Sequence, residues 1–186
     1  MSNEIIENLG PLAALAGTWE GDKGIDISRI KSKETETKYR ERVVFEPLGP
    51  VNNGPQKLYG LRYSMTAWRL GEEDAFHEEV GYWLWDGGED QKQVLRCFMV
   101  PRGVLINAGG DAEADSKRFH LEAEVGSVTY GILSNKYLDE TYKTEKYVLD
   151  VDIQDDSFSY KEDTQLWIPV NEAIFHHTDQ NTLHKI

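Results

Sequence analysis

Residues 17–24 of the chain read GTWEGDKG, where a short apolar segment gives way to a long series of alternating apolar and polar runs. A tryptophan flanked by glycines is typical of the first strand of small ligand-binding barrels. The indole of Trp19 can close the floor of such a barrel, and Gly17 and Gly21 can let backbones pass closely. A Gly-Thr-Trp triplet also occurs by chance, so the rest of the chain has to support the fold.

The alternation continues almost to the C-terminus. Residues 118–125 (RFHLEAEV) and 146–153 (KYVLDVDI) place apolar side chains at every second position. A period of two with one apolar face is typical of an antiparallel sheet with a dry inside and a wet outside. About ten such runs, joined by short turns, predict an all-β fold: one antiparallel up-and-down β-barrel of calycin or lipocalin type. A β-sandwich is the alternative. A barrel of eight to ten strands has room for one small ligand.

Four segments depart from the alternation. Residues 9–16 predict a short N-terminal helix that packs against the barrel. The other three are predicted to be irregular: a tail at 1–8, a charged mobile loop at 29–38, and a loop with a helical turn over the barrel mouth at 126–142. Since no linker or repeat divides the chain, we expect residues 1–186 to form a single domain.

The net charge restricts the class of partner. The 186 residues carry a net charge of −13, which would repel phosphate backbones and anionic membrane surfaces. No apolar run approaches the ~20 residues that a membrane-spanning helix needs. These features argue against nucleic-acid and membrane binding and favour a small-molecule partner.

The chain has one cysteine, Cys97. A single cysteine cannot form an intramolecular disulfide, and the residues at the N-terminus, MSNE, lack the basic start of a signal peptide. Both observations predict a cytoplasmic protein. Cys97 shares the parity of Leu95 and Met99, which predicts a buried thiol that packs as a small hydrophobe.

Three of the five histidines lie in the last eleven residues, in the run FHHTDQNTLHKI at 175–186. A neutral imidazole can ligate a metal or haem iron, and a second group commonly holds the ring by its other nitrogen. His177 and Asp179 supply both kinds of group close together. A solvated polar tail is the alternative.

A second histidine lies in the run FHEEVGYW at 76–83. His77 and Glu79 share one parity, so they could pair inside the barrel or at its rim. An exposed cross-strand pair explains the spacing equally well. His120 alternates with charged residues and is expected to be exposed. The sequence has no C-x-x-C, H-E-x-x-H, Walker or G-x-S-x-G motif.

Taken together, four stretches resemble the nitrobindin-like haem-binding β-barrels, in their longer bacterial, fatty-acid-binding-protein-like branch. The stretches are GPLAALAGTWEG at 10–21, HEEVGYWLWD at 77–86, PRGV at 101–104 and HTDQNTL at 177–183. The resemblance covers the chain from Leu9 to Ile186. One departure is that Gly24 stands one residue later than the third glycine of the family's G-x-W-x-G-x-G motif.

The resemblance implies a ten-stranded calycin-type barrel that holds haem b at one end. One histidine near the C-terminus binds the ferric iron in this family, and the other iron face is open to small ligands such as nitric oxide. Members are credited with isomerising peroxynitrite to nitrate. Carried over to this chain, His177 is the iron ligand and His176 its substitute, with Asp179 orienting a ring or capping the terminal segment. Further pocket candidates are Thr18, Arg102 and His77.

Three hypotheses follow. The first is a haem barrel that binds nitric oxide or isomerises peroxynitrite. The second is a non-enzymatic carrier of a fatty acid or other small apolar ligand, in a barrel without haem. The third is a hydrolase or isomerase that acts through His77 and Glu79. A homodimer is left open.

Overall fold

A closed β-barrel of eleven strands makes up nearly all of the computed structural model, which describes residues 3–30, 33–88 and 91–186. Two short helical segments precede the barrel, α1 (Asn3–Glu7) and a 3₁₀ helix (Gly10–Leu15). The strands are β1 (Gly17–Ile30), β2 (Lys33–Asn53), β3 (Gln56–Arg69), β4 (Ala75–Gly88), β5 (Gln91–Val100), β6 (Val104–Asp111), β7 (Arg118–Val125), β8 (Gly131–Leu133), β9 (Lys143–Ile153), β10 (Ser157–Ile168) and β11 (Ala173–Lys185). Helix α2 (Lys136–Thr141) lies between β8 and β9, and a 3₁₀ turn (Pro169–Asn171) joins β10 to β11.

The strand order is β1-β11-β10-β9-β7-β8-β6-β5-β4-β3-β2, and β1 pairs with both β2 and β11 to close the sheet. Every neighbouring pair is antiparallel except β7 and β8. This confirms the predicted all-β barrel with a short N-terminal helix. One of the eleven strands, β8, has only three residues and lies within the segment predicted as a loop, 126–142.

Trp19 closes one end of the barrel, as the opening stretch predicts. Its side chain is fully buried and its Nε1 donates a hydrogen bond to the Leu15 carbonyl at 2.7 Å. Its ring meets Phe158 edge-on, with centroids 5.2 Å apart. The 3₁₀ helix packs Leu12 and Leu15 into the same cluster. The helix therefore gains its stability from covering the barrel floor, because six residues are too few to be helical alone.

Gly24 shows why the opening stretch needs its last glycine. A Cβ at Gly24 would lie 2.5 Å from the ring of Tyr39 on β2. The Tyr39 side chain is 2% exposed and packs directly on the Gly24 backbone. A side chain at Gly24 would force the Tyr39 ring out of the barrel wall.

The predicted loop at 29–38 is wrong, because its described residues belong to β1 and β2. Arg29 pairs with Glu34 and Ser28 with Thr35 in an antiparallel ladder. Alternating charged and threonine side chains suit a two-stranded extension whose faces meet water, so charge alone does not indicate a loop here. Residues 31–32 of this prediction lie outside the described residues.

Residues 126–142 contain β8 and α2. The Asn135 side chain caps α2 by accepting from the Leu138 N–H at 3.0 Å, and its Nδ2 donates to the Arg102 carbonyl at 2.6 Å. These two bonds attach α2 to the turn between β5 and β6. Within residues 3–30, 33–88 and 91–186, no helix is long and apolar enough to cross a bilayer.

Candidate functional site

A cavity of about 420 Å³ opens at the end of the barrel opposite Trp19. This volume lies within the range of small-molecule sites, roughly 300–1,000 Å³. Apolar and aromatic side chains share its wall with polar and charged groups from several strands. Three groups of buried polar side chains face the cavity, and each is built from strands that are distant in the sequence.

The first group surrounds His177 on β11. Its Nε2 lies 2.7 Å from Oδ1 of Asp26 on β1 and 3.5 Å from Oδ2 of Asp179. The Ser28 hydroxyl donates to the other oxygen of Asp26 at 2.8 Å. Asp26 is 5% exposed, and the His177 side chain retains 25% of its surface. The imidazole therefore stands between two carboxylates at the cavity wall.

Charges in this group are mutually dependent. Burial would lower the pKa of His177, but the hydrogen bond to Asp26 and the charge of Asp179 outweigh burial and raise it. Burial would likewise raise the pKa of Asp26, but His177 lowers it. For Asp179, burial prevails over the attraction of His177 and raises the pKa to about 7. The Asp26 carboxylate thus favours the protonated form of His177, and Asp179 is a second, easily protonated acid beside the pair.

These three residues are also the described set that could hold a metal ion. One ligand atom from each of Asp26, His177 and Asp179 lies within 4.8 Å of the others. An imidazole nitrogen with carboxylate oxygens is a donor set for transition-metal ions, whereas haem iron takes an imidazole as its axial ligand.

The second group is centred on Glu79 of β4, which is 2% exposed. Its Oε1 lies 3.1 Å from the His77 Nε2, and its Oε2 accepts from Arg96 Nη2 at 2.5 Å and from the Tyr63 hydroxyl at 2.9 Å. Burial would raise the pKa of Glu79, but the Arg96 charge and the His77 hydrogen bond lower it to about 2. Burial would lower the pKa of His77, but Glu79 raises it. Glu79 thus stays ionised and fixes the His77 ring.

Arg96 on β5 joins this group to the opposite wall. Its Nη1 donates to Glu162 Oε2 at 2.8 Å and is in short contact with the Tyr147 hydroxyl, which itself donates to Glu162 at 2.6 Å. The guanidinium carbon also lies 4.2 Å from the centroid of the Phe98 ring. One buried cation is therefore shared by two carboxylates from different strands.

The third group contains Glu41 on β2. The Tyr160 hydroxyl donates to Glu41 Oε2 at 2.7 Å and lies 2.8 Å from the Tyr39 hydroxyl. Glu41 is 2% exposed and has no cation partner among the ion pairs of the described residues. Burial raises the pKa of Glu41 to about 8. This carboxyl is neutral at pH 7, and in that form it can donate a hydrogen bond.

Replacing Glu41 by Gln should remove a pH-dependent loss of stability. An unfolded chain releases the Glu41 proton near pH 4.5, whereas the folded protein keeps it until about pH 8. The wild-type free energy of unfolding therefore falls as pH rises through this window. Glu41→Gln imitates the neutral acid, so its stability relative to wild type should grow by on the order of 3 kcal/mol between pH 5 and pH 8. Urea denaturation at pH 5, 6.5 and 8 measures the difference.

Glu36→Gln, at an exposed position of the same strand, is the matched control and should show no such trend. A stability difference between Glu41→Gln and wild type that stays constant from pH 5 to pH 8 would show that Glu41 is ionised when folded.

The structure brings three of the five proposed pocket residues to the cavity: His177, His77 and Arg102. His176 points away from it, because its Nδ1 lies 2.7 Å from Asp163 on the outer face and its side chain is 58% exposed. Thr18 is absent from the described cavity lining, since it sits next to Trp19 at the closed end. Neither His176 nor Thr18 is in a position to contact a ligand in the cavity.

The prediction that Cys97 is a buried thiol packed as a small hydrophobe is wrong. Val94, Arg96 and Phe98 are the buried residues of β5, so Cys97 lies on the outer face, where it is half-buried and its thiol donates to Asn107 Oδ1 at 2.9 Å. The error arises from Arg96. A charged residue normally marks the solvent-facing side of a strand, so Arg96 makes the positions of Leu95, Cys97 and Met99 look like the buried side. His120 is exposed as predicted, between Asp150 and Glu122.

Sequence reasoning missed most of the buried polar residues. A signal was present, since each charged residue shares its parity with aromatic or aliphatic neighbours: Arg96 with Val94 and Phe98, Glu41 with Val43 and Phe45. An alternation rule that places every charged residue on the wet face of a strand assigns these residues to the wrong face. The other missed members are Asp26, Tyr39, Tyr63, Tyr147, Tyr160 and Glu162.

Comparison with known proteins agrees with this architecture. A family model described as "THAP4-like, heme-binding beta-barrel domain" matches residues 8–185. The chain is also similar to a solved structure titled "Crystal Structure of Rv2717c from M. tuberculosis", with a TM-score of 0.67, 18% identity and coverage of 98% of this chain and 97% of that chain. That identity shows the fold alone. A search of curated proteins found no match. Because the family model spans nearly the whole chain, the protein belongs to the THAP4-like haem-binding β-barrels, the nitrobindin family.

Proposed function

We propose that the barrel binds haem b through His177 and leaves the other iron face for a small ligand such as nitric oxide, with peroxynitrite isomerisation as its activity. One observation carries this proposal. In a barrel of a haem-binding family, His177 is the histidine of the C-terminal strand whose side chain lines the cavity. His176, the alternative ligand, faces outward.

The residues present fit such a group. The wall offers an imidazole for iron and apolar side chains for a porphyrin, including Phe98, Val100 and Leu149. Asp26 lies 2.7 Å from one ring nitrogen of His177, and carboxylates commonly hold a histidine in this way when its other ring nitrogen binds a metal. When bound, haem supplies iron that coordinates small ligands and accepts or donates electrons.

His77 is the second imidazole of the cavity. Its charge acts on both Asp26 and Asp179, so it lies at the same end of the barrel as His177. Glu79 fixes its ring, and its side chain is 24% exposed. We expect His77 to donate a hydrogen bond to a small anionic or polar ligand that enters the mouth. Helix α2 contributes Leu138 to the lining of the same cavity.

Reconstitution with haemin tests the proposal. The purified protein titrated with haemin should develop a Soret band that shifts on adding nitric oxide. His177→Ala should bind haemin at least about tenfold more weakly, because replacing even a residue that only holds a metal ligand in place lowers metal affinity roughly 10–100-fold. His176→Ala is the matched control, one residue away on the outer face, and should leave the spectrum unchanged.

If wild type shows no Soret band, the haem assignment is wrong. If His176→Ala loses the band and His177→Ala keeps it, the ligand is misassigned. The rate of peroxynitrite decay and the yield of nitrate then measure the activity of the loaded protein.

A second candidate function is a carrier of a fatty acid or other small apolar ligand without haem. The observation that favours it is the direct bond between His177 Nε2 and Asp26, which satisfies the imidazole within the protein. Native mass spectrometry of the protein as purified distinguishes the two, since a bound lipid supports the carrier and a bound porphyrin supports the haem protein.

We also propose a cytoplasmic homodimer. A row of apolar side chains crosses the outer face of β4, β5, β6 and β8. It consists of Val80, Met99, Leu105 and Leu133, which are paired neighbours on adjacent strands. All four side chains are exposed. Two copies could cover this row by two-fold symmetry without bringing their acidic surfaces together. Light scattering on wild type and Leu105→Glu measures the oligomeric state.

A further inference from the structure

The mouth of the cavity carries three arginines in a chain whose net charge is −13. Arg29, Arg69 and Arg102 all belong to the cavity lining. They come from the end of β1, the end of β3 and the turn after β5. Because neighbouring strands in this part of the barrel are antiparallel, these odd-numbered strands all end at the mouth.

Apolar side chains lie around the same opening. There, β10, β11 and α2 contribute Leu166, Phe175 and Leu138 to the lining. The opening therefore combines guanidinium groups with hydrocarbon side chains.

Each arginine is placed so that it can meet a ligand. Arg102 is exposed and forms no ion pair with the residues described at 3–30, 33–88 and 91–186. Arg69 stacks on the Phe76 ring at 4.9 Å and meets Glu72 at 3.2 Å, in an ion pair whose side chains are 41% and 51% exposed. An exposed pair of this kind is worth little and can be exchanged for a ligand carboxylate. Arg29 is half-buried at the end of β1, and its guanidinium lies beside the side-chain amide of Asn171.

We propose that Arg29, Arg69 and Arg102 form a carboxylate-binding rim, which selects ligands with an apolar body and acid groups along one edge. This rests on the proposed function, under which the ligand is haem b with its two propionates. The planar guanidinium fork pairs with a carboxylate through two hydrogen bonds.

The rim also orients the ligand. Deeper in the cavity the basic groups Arg96, His77 and His177 are already engaged by the carboxylates of Glu79, Glu162 and Asp26, so they are not available to a ligand carboxylate. A carboxylate pushed inward would be buried against these acids, which is costly. The acid edge of the ligand therefore stays at the arginines, and the apolar body enters the barrel.

Haemin and its dimethyl ester provide the test, because esterification removes both acid charges and leaves the porphyrin and iron unchanged. Soret titrations at low salt should show the ester binding about tenfold more weakly, the size expected from one or two exposed charge pairs. In Arg69→Gln and Arg102→Gln, haemin affinity should fall towards that of the ester, while ester affinity stays the same. Raised ionic strength should reduce the difference.

Arg118→Gln, which alters an arginine paired with Asp152 on the outer face, is the charge-matched control and should preserve the tenfold preference. The rim proposal would be wrong if wild type bound haemin and its ester with equal affinity. It would also be wrong if both Arg69→Gln and Arg102→Gln kept the full preference for haemin over the ester.

Failure of haem binding is distinguishable from failure of the rim. If neither porphyrin gives a Soret band, the same comparison is made with palmitate and methyl palmitate, followed by quenching of tryptophan fluorescence. A preference for the acid that disappears in Arg69→Gln and Arg102→Gln would support the rim without haem. Equal binding of acid and ester, or no binding of either, would overturn it.

Discussion

Replacing Arg96 by Met should lower the free energy of unfolding by about 3–5 kcal/mol, the cost of leaving buried charges without a partner. Arg96 is 6% exposed and is the cation that Glu79 and Glu162 share. Met keeps an unbranched side chain but carries no charge. Both carboxylates would then have to take up protons or attract water into the barrel. Urea denaturation at pH 7 measures the loss.

Two further variants identify the cause. Arg42→Met removes an exposed arginine paired with Glu20, and should cost no more than about 1 kcal/mol. The triple variant Arg96→Met, Glu79→Gln, Glu162→Gln removes all three charges, and should regain much of the stability lost in Arg96→Met. If the triple variant is less stable than Arg96→Met, the guanidinium contributes mainly through packing on Phe98.

Replacing Trp19 by Ala should also cost about 3–5 kcal/mol, as large-to-small changes of a buried tryptophan do. Trp19 is fully buried, meets Phe158 edge-on and donates to the Leu15 carbonyl. The substitution leaves a cavity at the floor and removes the bond that attaches the 3₁₀ helix. Trp19→Phe keeps part of the ring and should lose less.

Trp68→Ala is the matched comparison, since Trp68 is only half-buried and lies against Arg40 with a 4.3 Å separation. It should cost under about 1 kcal/mol, in the range of an exposed cation–π contact. Equal losses for Trp19→Ala and Trp68→Ala in urea denaturation would show that Trp19 does not hold the floor of the barrel.

The sequence by itself predicted the barrel, its closed end and its family. Side chains alternate faces along any strand, so an apolar residue at every second position marks a sheet with one dry face. Trp19 and the glycines beside it are also a local signal. A large indole can fill the barrel floor, and glycines let neighbouring backbones approach closely there. The resemblance to haem-binding barrels rests on four such local stretches, and the family model agrees with it.

Local pattern could not choose between His176 and His177. In residues 173–185, polar side chains occupy both parities, so neither face of the strand is marked. Pairing with β10 and β1 makes the choice, since it turns His176 towards Asp163 outside and His177 towards Asp26 inside.

The buried polar groups were decided only by closure of the barrel. Arg96 and Glu162 are 66 residues apart, and Asp26 and His177 are 151 residues apart. A charged side chain can occupy the inner face of a strand only where an opposite charge or a hydrogen-bond partner reaches it, because the cost of removing it from water is otherwise too high. Those partners come from distant strands. The local sequence therefore specifies a barrel. The charged residues that lie inside it are determined by the strands that the closed sheet brings face to face.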